Sequence, residues 1–264
     1  MRAEAPILIF DSGVGGLTVL AELRKILPTA PVVFAADQAG FPYGAKSEAE
    51  IAARVAGLLG RMSERYRPRL ACIACNTAST IALEMVREVL EIPIVGTVPA
   101  IKPAAALTKT GSIGLLGTEA TIRQGYVDRL EAKFAQNKTL LRFGAPGLVR
   151  AAEAKLRGQT IDAEAIANAV SGLRDQPGGD QIDTVVLACT HFPLLAEELG
   201  SAFGSKVTFV DGAEGIARRI TSLCDGQTFA TDAPSLAITT GPLDRFMPLA
   251  PLFADHKIDQ LDQF

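Results

Sequence analysis

The sequence predicts an α/β protein built as two pseudosymmetric lobes, each a mainly parallel sheet flanked by helices. Three observations lead there. Short, unbroken apolar runs (residues 7–10, 32–35, 70–74, 112–116 and 184–188) alternate with longer amphipathic stretches, which is how strands buried on both faces of a parallel sheet read. The pattern restarts near the middle of the chain, and its halves echo each other. A strand ending in Asp11-Ser12-Gly13 has its counterpart in one ending in Gly117-Thr118, and a strand ending at Cys75 has its counterpart in one ending at Cys189. Finally, 264 residues are enough for two such units with a sizeable core. The expected boundaries are residues 1–98 with 209–264 for one lobe and 99–208 for the other.

Taken in order, the strand at 7–10 is followed by a helix with Leu17, Leu20, Leu23, Ile26 and Leu27 on one face. After the strand at 32–35, Ser47-Glu48-Ala49-Glu50 forms a capping box that opens a helix running to about Arg65. A strand at 70–74, a helix at 78–90 and a short strand at 94–95 close the first half. The second half reads as a helix at 100–107, a strand at 112–116, one helix at 120–134 and a strand at 140–143. Helical stretches at 148–156 and 161–173, a strand at 184–187 and a helix to about Ala202 follow. A strand at 207–210 leads into Asp211-Gly212-Ala213-Glu214, an N-cap-like start for a helix to about Leu223. Beyond Gly226 only a short strand at 238–240 is legible.

Composition narrows the function. Hydrophobic residues make up 48% and charged residues 21%, with a net charge of −3. That excludes a disordered chain and gives no basic patch for nucleic acid. The apolar stretch after the N-terminal residues is too short for a signal peptide, and no run is long enough to span a membrane. A cytoplasmic protein acting on a small molecule is expected. Four cysteines (Cys72, Cys75, Cys189 and Cys224) in such a compartment point to core thiols, metal ligands or catalytic thiols rather than disulfides.

Ligands of open parallel sheets bind beyond the carboxyl ends of the strands, and the segments that could carry chemistry lie there. Asp11-Ser12-Gly13-Val14-Gly15-Gly16 fails the dinucleotide pattern because Thr18 stands where the third glycine belongs. It reads as a tight strand-to-helix turn, or as an amino-acid clamp with Asp11 drawing an ammonium group while Ser12 and the helix-start N–H groups take a carboxylate. Pro42-Tyr43-Gly44 is at its simplest a turn; in a site, Gly44 lets a ligand approach the backbone and Tyr43 walls it.

Cys72 falls inside a strand three residues before Cys75, so the two thiols point to opposite faces. Cys72 is therefore expected in the core, as is Cys224 late in a helix. Cys75 and Cys189 each precede polar residues at a helix start, where the dipole favours a thiolate. Asn76, Thr77 and Thr190 add donors suited to a carboxylate. His191, two residues past Cys189, can assist that thiol, whereas His256 in the tail reads as a surface residue. A zinc site from Cys72, Cys75, Cys189 and His191 is disfavoured by the diverging strand positions. A non-catalytic two-lobed solute receptor leaves the matched thiols unexplained.

Six blocks carry a resemblance along essentially the whole chain. They are Phe10-Asp11-Ser12-Gly13-Val14-Gly15-Gly16-Leu17-Thr18-Val19, Pro42-Tyr43-Gly44, Ala74-Cys75-Asn76-Thr77-Ala78-Ser79, Gly96-Thr97-Val98-Pro99-Ala100, Leu116-Gly117-Thr118-Glu119-Ala120-Thr121 and Ala188-Cys189-Thr190-His191-Phe192-Pro193-Leu194-Leu195. In this order they resemble the glutamate racemases of the cofactor-independent aspartate/glutamate racemase superfamily. The resemblance implies interconversion of L- and D-glutamate without pyridoxal phosphate or metal, supplying D-glutamate for bacterial peptidoglycan, with the site in a cleft between the lobes. Aspartate racemases share the architecture and are the alternative. The resemblance carries over Cys75 and Cys189 as the acid/base pair. It also carries over Asp11, Ser12, Tyr43, Gly44, Asn76, Thr77, Thr190 and His191 as substrate-binding positions, with Glu153 and Thr118 assisting. Glu153 follows Ala145-Pro146-Gly147-Leu148-Val149, where many members have Cys-Pro and then an apolar stretch. The segment from about Gly226 matches less well, and a homodimer is the family expectation.

Overall fold

The computed structural model describes residues 2–264. The chain forms two compact units, one running up to Thr97 and resuming over Ala213–Phe264, the other Val98–Gly212. In the first unit the order is β1 (Ile7–Asp11), α1 (Leu17–Ile26), β2 (Val32–Ala36), a 3₁₀ turn at Tyr43–Ala45, α2 (Glu48–Tyr66), β3 (Leu70–Ile73), α3 (Asn76–Val89) and β4 (Ile94–Gly96). The second unit contains α4 (Ile101–Leu107), β5 (Ser112–Gly117), α5 (Glu119–Ile122), α6 (Gly125–Phe134), β6 (Thr139–Gly144), α7 (Pro146–Leu156) and α8 (Ala163–Arg174). It closes with β7 (Thr184–Ala188), a 3₁₀ turn at Phe192–Leu195, α9 (Ala196–Phe203) and β8 (Thr208–Val210). The chain returns to the first unit with α10 (Ala213–Leu223), β9 (Leu236–Thr239), α11 (Leu243–Phe246), α12 (Ala250–Ala254) and β10 (Gln260–Gln263).

Both sheets are parallel throughout. The first has the order β10-β9-β2-β1-β3-β4 and the second β6-β5-β7-β8. Every residue of β1 is buried, and Ile7 lies opposite both Val32 and Leu70. This register sets the site. Asp11 pairs with Ala36 and Phe10 with Ile73, so the segments leaving β1, β2 and β3 emerge together at one edge of the sheet.

Helix packing explains why these runs fold as they do. Ile51, Val55, Leu58, Leu59 and Met62 recur at helical spacing along α2 and join Leu8, Phe10, Ala71 and Ile73 of the sheet in one buried cluster. Each large aliphatic group taken from water contributes about 1.5–3 kcal/mol. The predicted capping box at Ser47 is half present. The Ser47 hydroxyl accepts the Glu50 N–H at 3.3 Å, while the Glu50 carboxylate binds Lys46 at 2.6 Å.

The structure corrects the sequence reading at four places. The single helix expected over 120–134 is two helices, because Gln124 adopts an extended backbone and starts α6, with Gly125, a poor helix former, immediately after it. Cys189 is followed by a 3₁₀ turn rather than directly by an α-helix. The tail after Gly226 holds two short helices and a further strand, β10. His256 is half-buried rather than a plain surface residue; its carbonyl accepts the Arg24 Nε–H at 2.9 Å, and burial holds its imidazole below the usual histidine range.

Candidate active site

The first unit gathers Asp11, Ser12, Tyr43 and Cys75 at the carboxyl edge of its sheet. β3 ends at Ile73, and the next turn is fixed by hydroxyl groups. Thr97 Oγ1 lies 3.0 Å from the carbonyls of both Ile73 and Ala74, and Ser79 Oγ donates to Ile73 at 2.8 Å. Cys75 is thereby held as the N-cap of α3, its Sγ accepting the Ala78 N–H at 3.5 Å. Ser12 Oγ lies 3.6 Å from the same sulfur and 3.3 Å from Asp11 Oδ1, which also accepts the Gly13 N–H at 3.1 Å. A Cβ on Gly16 would stand 3.0 Å from Asp11 Oδ2 and 3.2 Å from Ala74 Cβ. Glycine there allows the loop after β1 to close against the turn after β3.

Asp11 is fully buried, and Ser12, Asn76 and Thr77 are nearly so. Among the described residues the Asn76 side-chain oxygen is buried without a hydrogen-bond partner, a state that costs free energy unless something else satisfies it. Tyr43, 2% exposed, and Cys75, 6% exposed, belong to one buried cluster, and Gly44 follows in the 3₁₀ turn. The Tyr43 hydroxyl donates to Asp37 Oδ2 at 2.5 Å. Burial and the Asp37 charge push its phenol far above the ordinary range, so this proton stays on.

The second unit carries a different arrangement at the end of β7. Cys189 is 7% exposed and His191 2%. The sulfur lies 3.9 Å from His191 Nδ1, and His191 Nε2 lies 2.9 Å from Glu153 Oε1 on α7. An ionised Glu153 accepts from Nε2–H, which leaves Nδ1 to face the thiol. Arg157, one turn on, contacts the other Glu153 oxygen at 3.4 Å. Thr190 is buried beside these groups in sequence. Thr118, at the end of β5, caps α5 by accepting the Thr121 N–H at 3.1 Å.

Cys72 and Cys224 are buried free thiols. Burial pushes the Cys72 thiol far above its ordinary range, with the Asp11 charge adding to it. Sequence reasoning passed over Ser79 and Thr97, although both lie in blocks that carried the resemblance. It also passed over Asp37, which directly follows β2 at the same sheet edge as Asp11, and its partner Arg54.

Each of the two parallel α/β units thus carries a buried thiol with a polar partner just beyond a central strand, the architecture of an α/β enzyme fold. Residues 17–220 match the Asp/Glu/Hydantoin racemase family, and the chain belongs to that family. It is 63% identical to a glutamate racemase of Sphingopyxis alaskensis over 260 residues, spanning 98% of this chain and 97% of that one. The crystal structure of Escherichia coli glutamate racemase in complex with L-glutamate and the activator UDP-MurNAc-Ala superposes with a TM-score of 0.91 at 39% identity, covering 98% of both chains. A glutamate racemase isoform from Bacillus anthracis gives 0.84 at 27% identity, covering 100% of this chain and 98% of the other. Among the described residues no helix is long and apolar enough to cross a membrane.

Proposed function

We propose that this protein is a racemase that interconverts L- and D-glutamate by two-thiol proton transfer. The observation that carries the reading is the placement of Cys75 and Cys189 at corresponding strand ends, each buried beside polar groups able to handle a proton. One thiolate takes the Cα proton, and the electron pair of the C–H bond is left on Cα and drawn toward the α-carboxylate. The other thiol then donates its proton to the opposite face. One sulfur ends protonated and the other ionised, so the roles reverse for the other enantiomer. Such positioned acid/base groups contribute roughly 10²–10⁴-fold each.

Asp11 suits the substrate ammonium, and Ser12, Thr77, Thr190 and the backbone at Gly44 suit its carboxylates. The buried amide of Asn76 supplies a further polar contact, which would relieve its unmatched oxygen. His191, oriented by Glu153, assists Cys189, and Thr118 shapes the second half-site. Fixed dipoles in a dry site favour charge developing on the α-carboxylate. The 63% identity to a glutamate racemase supports glutamate over aspartate. In this reading the protein is a cytoplasmic homodimer that supplies D-glutamate for peptidoglycan and cell shape.

The test is to incubate the purified protein with L-glutamate or L-aspartate in D₂O, following optical rotation and Cα deuteration. Racemisation of glutamate with one deuterium entering Cα is expected. Preference for aspartate would assign the site to the other substrate, and no exchange with either would reject the racemase.

A further inference from the structure

Asp37 lies just beyond β2, outside every block that the resemblance marked. Its carboxylate is fully buried and is bonded from three separate segments. Tyr43 donates its hydroxyl to Oδ2 at 2.5 Å, and Arg54 of α2 donates Nε–H to Oδ2 at 2.5 Å and Nη2–H to Oδ1 at 2.6 Å. Thr240, just past β9, donates its hydroxyl to Oδ1 at 2.5 Å. The Asp37 N–H in turn donates to the Asp11 carbonyl at 2.8 Å. Burial alone would raise this carboxyl, but the bonds from Arg54, Thr240 and Tyr43 hold it below the usual range.

A second feature singles out the same group. A Cβ built on Gly40 would stand 2.4 Å from Arg54 Nε, 2.4 Å from Asp37 Oδ2 and 2.9 Å from Tyr43 Cε1. The absent side chain at position 40 is what lets the three members meet. Charge-assisted bonds of this kind are stronger and more directional than neutral ones, and Tyr43 shares one buried cluster with Cys75, close enough for the Cys75 charge to act on its phenol.

We propose that Asp37, clamped by Arg54 and Thr240, is a positioning residue that holds the Tyr43 ring against Cys75 and so sets the fit of glutamate in this half-site. The proposal rests on the racemase reading above. It assigns Tyr43 a wall whose hydroxyl proton is committed to Asp37 and does not serve the substrate. It also gives the C-terminal part of the chain a share in catalysis, because Thr240 arrives with β9.

Thr240→Val tests this with little change of shape, since valine keeps the volume and loses the hydroxyl; Thr240→Ser restores it. Gly40→Ala forces a Cβ into the junction, and Cys75→Ala is assayed in parallel. In folded protein, Thr240→Val and Gly40→Ala should each raise KM for glutamate on the order of tenfold, with a smaller change in kcat, because a displaced positioning group weakens fit before chemistry. Thr240→Ser should return KM to near the wild-type value. The loss in kcat/KM must be equal for the two enantiomers, because they are equal in free energy. Wild-type KM in both Thr240→Val and Gly40→Ala, or a Thr240→Ser protein as impaired as Thr240→Val, overturns the positioning role. Loss of turnover in Cys75→Ala beside those unchanged values leaves the racemase reading standing without it. Should Gly40→Ala fail to fold, the Thr240 pair still decides the matter.

Discussion

Cys75 and Cys189 hold corresponding places in sequence but different surroundings in space. Cys75 caps a helix and lies 3.6 Å from a serine hydroxyl, whereas Cys189 lies 3.9 Å from an imidazole that a carboxylate orients. In the proposed two-thiol mechanism the two half-reactions should therefore respond to different substitutions. His191→Asn should slow turnover by roughly 10²-fold or more, the size of a lost acid/base partner, and Glu153→Gln by less. In D₂O, the Cα exchange lost in His191→Asn should be concentrated on the enantiomer that Cys189 serves. Equal loss for both enantiomers would mean that His191 does not act through Cys189. Cys72 makes the opposite case. It is wholly buried in β3, so Cys72→Ala should lower unfolding stability by about 1 kcal/mol or more through the cavity it leaves. Turnover per folded molecule should survive; a folded but inactive variant would give Cys72 a chemical role.

At the level of elements, Asp183 shows how a connection is pinned. Its carboxylate accepts the Thr108 hydroxyl at 2.6 Å, the N–H groups of Lys109 and Thr110 at 2.7 and 2.9 Å, and the Thr184 hydroxyl at 3.0 Å. It thus ties the turn after α4 to the start of β7. These bonds outweigh burial and draw its pKa down to about 2 from 3.8. A depressed carboxyl stabilises the fold above its unfolded pKa, and that stability is lost as pH falls from about 3.8 towards about 2. Asp183→Asn should therefore unfold more easily than wild type at neutral pH, with the difference closing over that acid window in thermal melts. A difference that persists unchanged below the window would assign it to packing rather than to charge. The strands were legible because β1, β3, β5 and β7 are central and buried, so they read as continuous apolar runs. β10 was not, because it is an edge strand whose Gln260, Asp262 and Gln263 face solvent and leave no apolar pattern. The 3₁₀ turn after Cys189 was also hidden, since Pro193 is as compatible with an α-helical first turn. Asp37 escaped notice because one charged residue after a short strand looks like any turn; only its three side-chain partners, one of them from the far end of the chain, mark it out.

For the molecule as a whole, two parallel sheets present their strand ends with one thiol each, and the sequence offers no lysine in a Schiff-base setting. Racemisation should survive exhaustive chelation and treatment with carbonyl-trapping reagents. Stoichiometric metal lost together with activity would reverse that. The proposed site was read from the sequence chiefly at the two thiols and the Asp11 loop, whose residue types suit proton transfer and amino-acid binding. The buried braces Ser79, Thr97 and Asp37 act through bonds that no spacing rule encodes. The most direct test of the two-thiol mechanism is Cα–deuterium exchange of L- and D-glutamate in Cys75→Ala and Cys189→Ala. Neither folded variant should racemise, and each should retain at most slow exchange of one enantiomer, opposite in the two. Near wild-type racemisation by either variant, or exchange of the same enantiomer by both, would contradict a mechanism in which each cysteine serves one face of Cα.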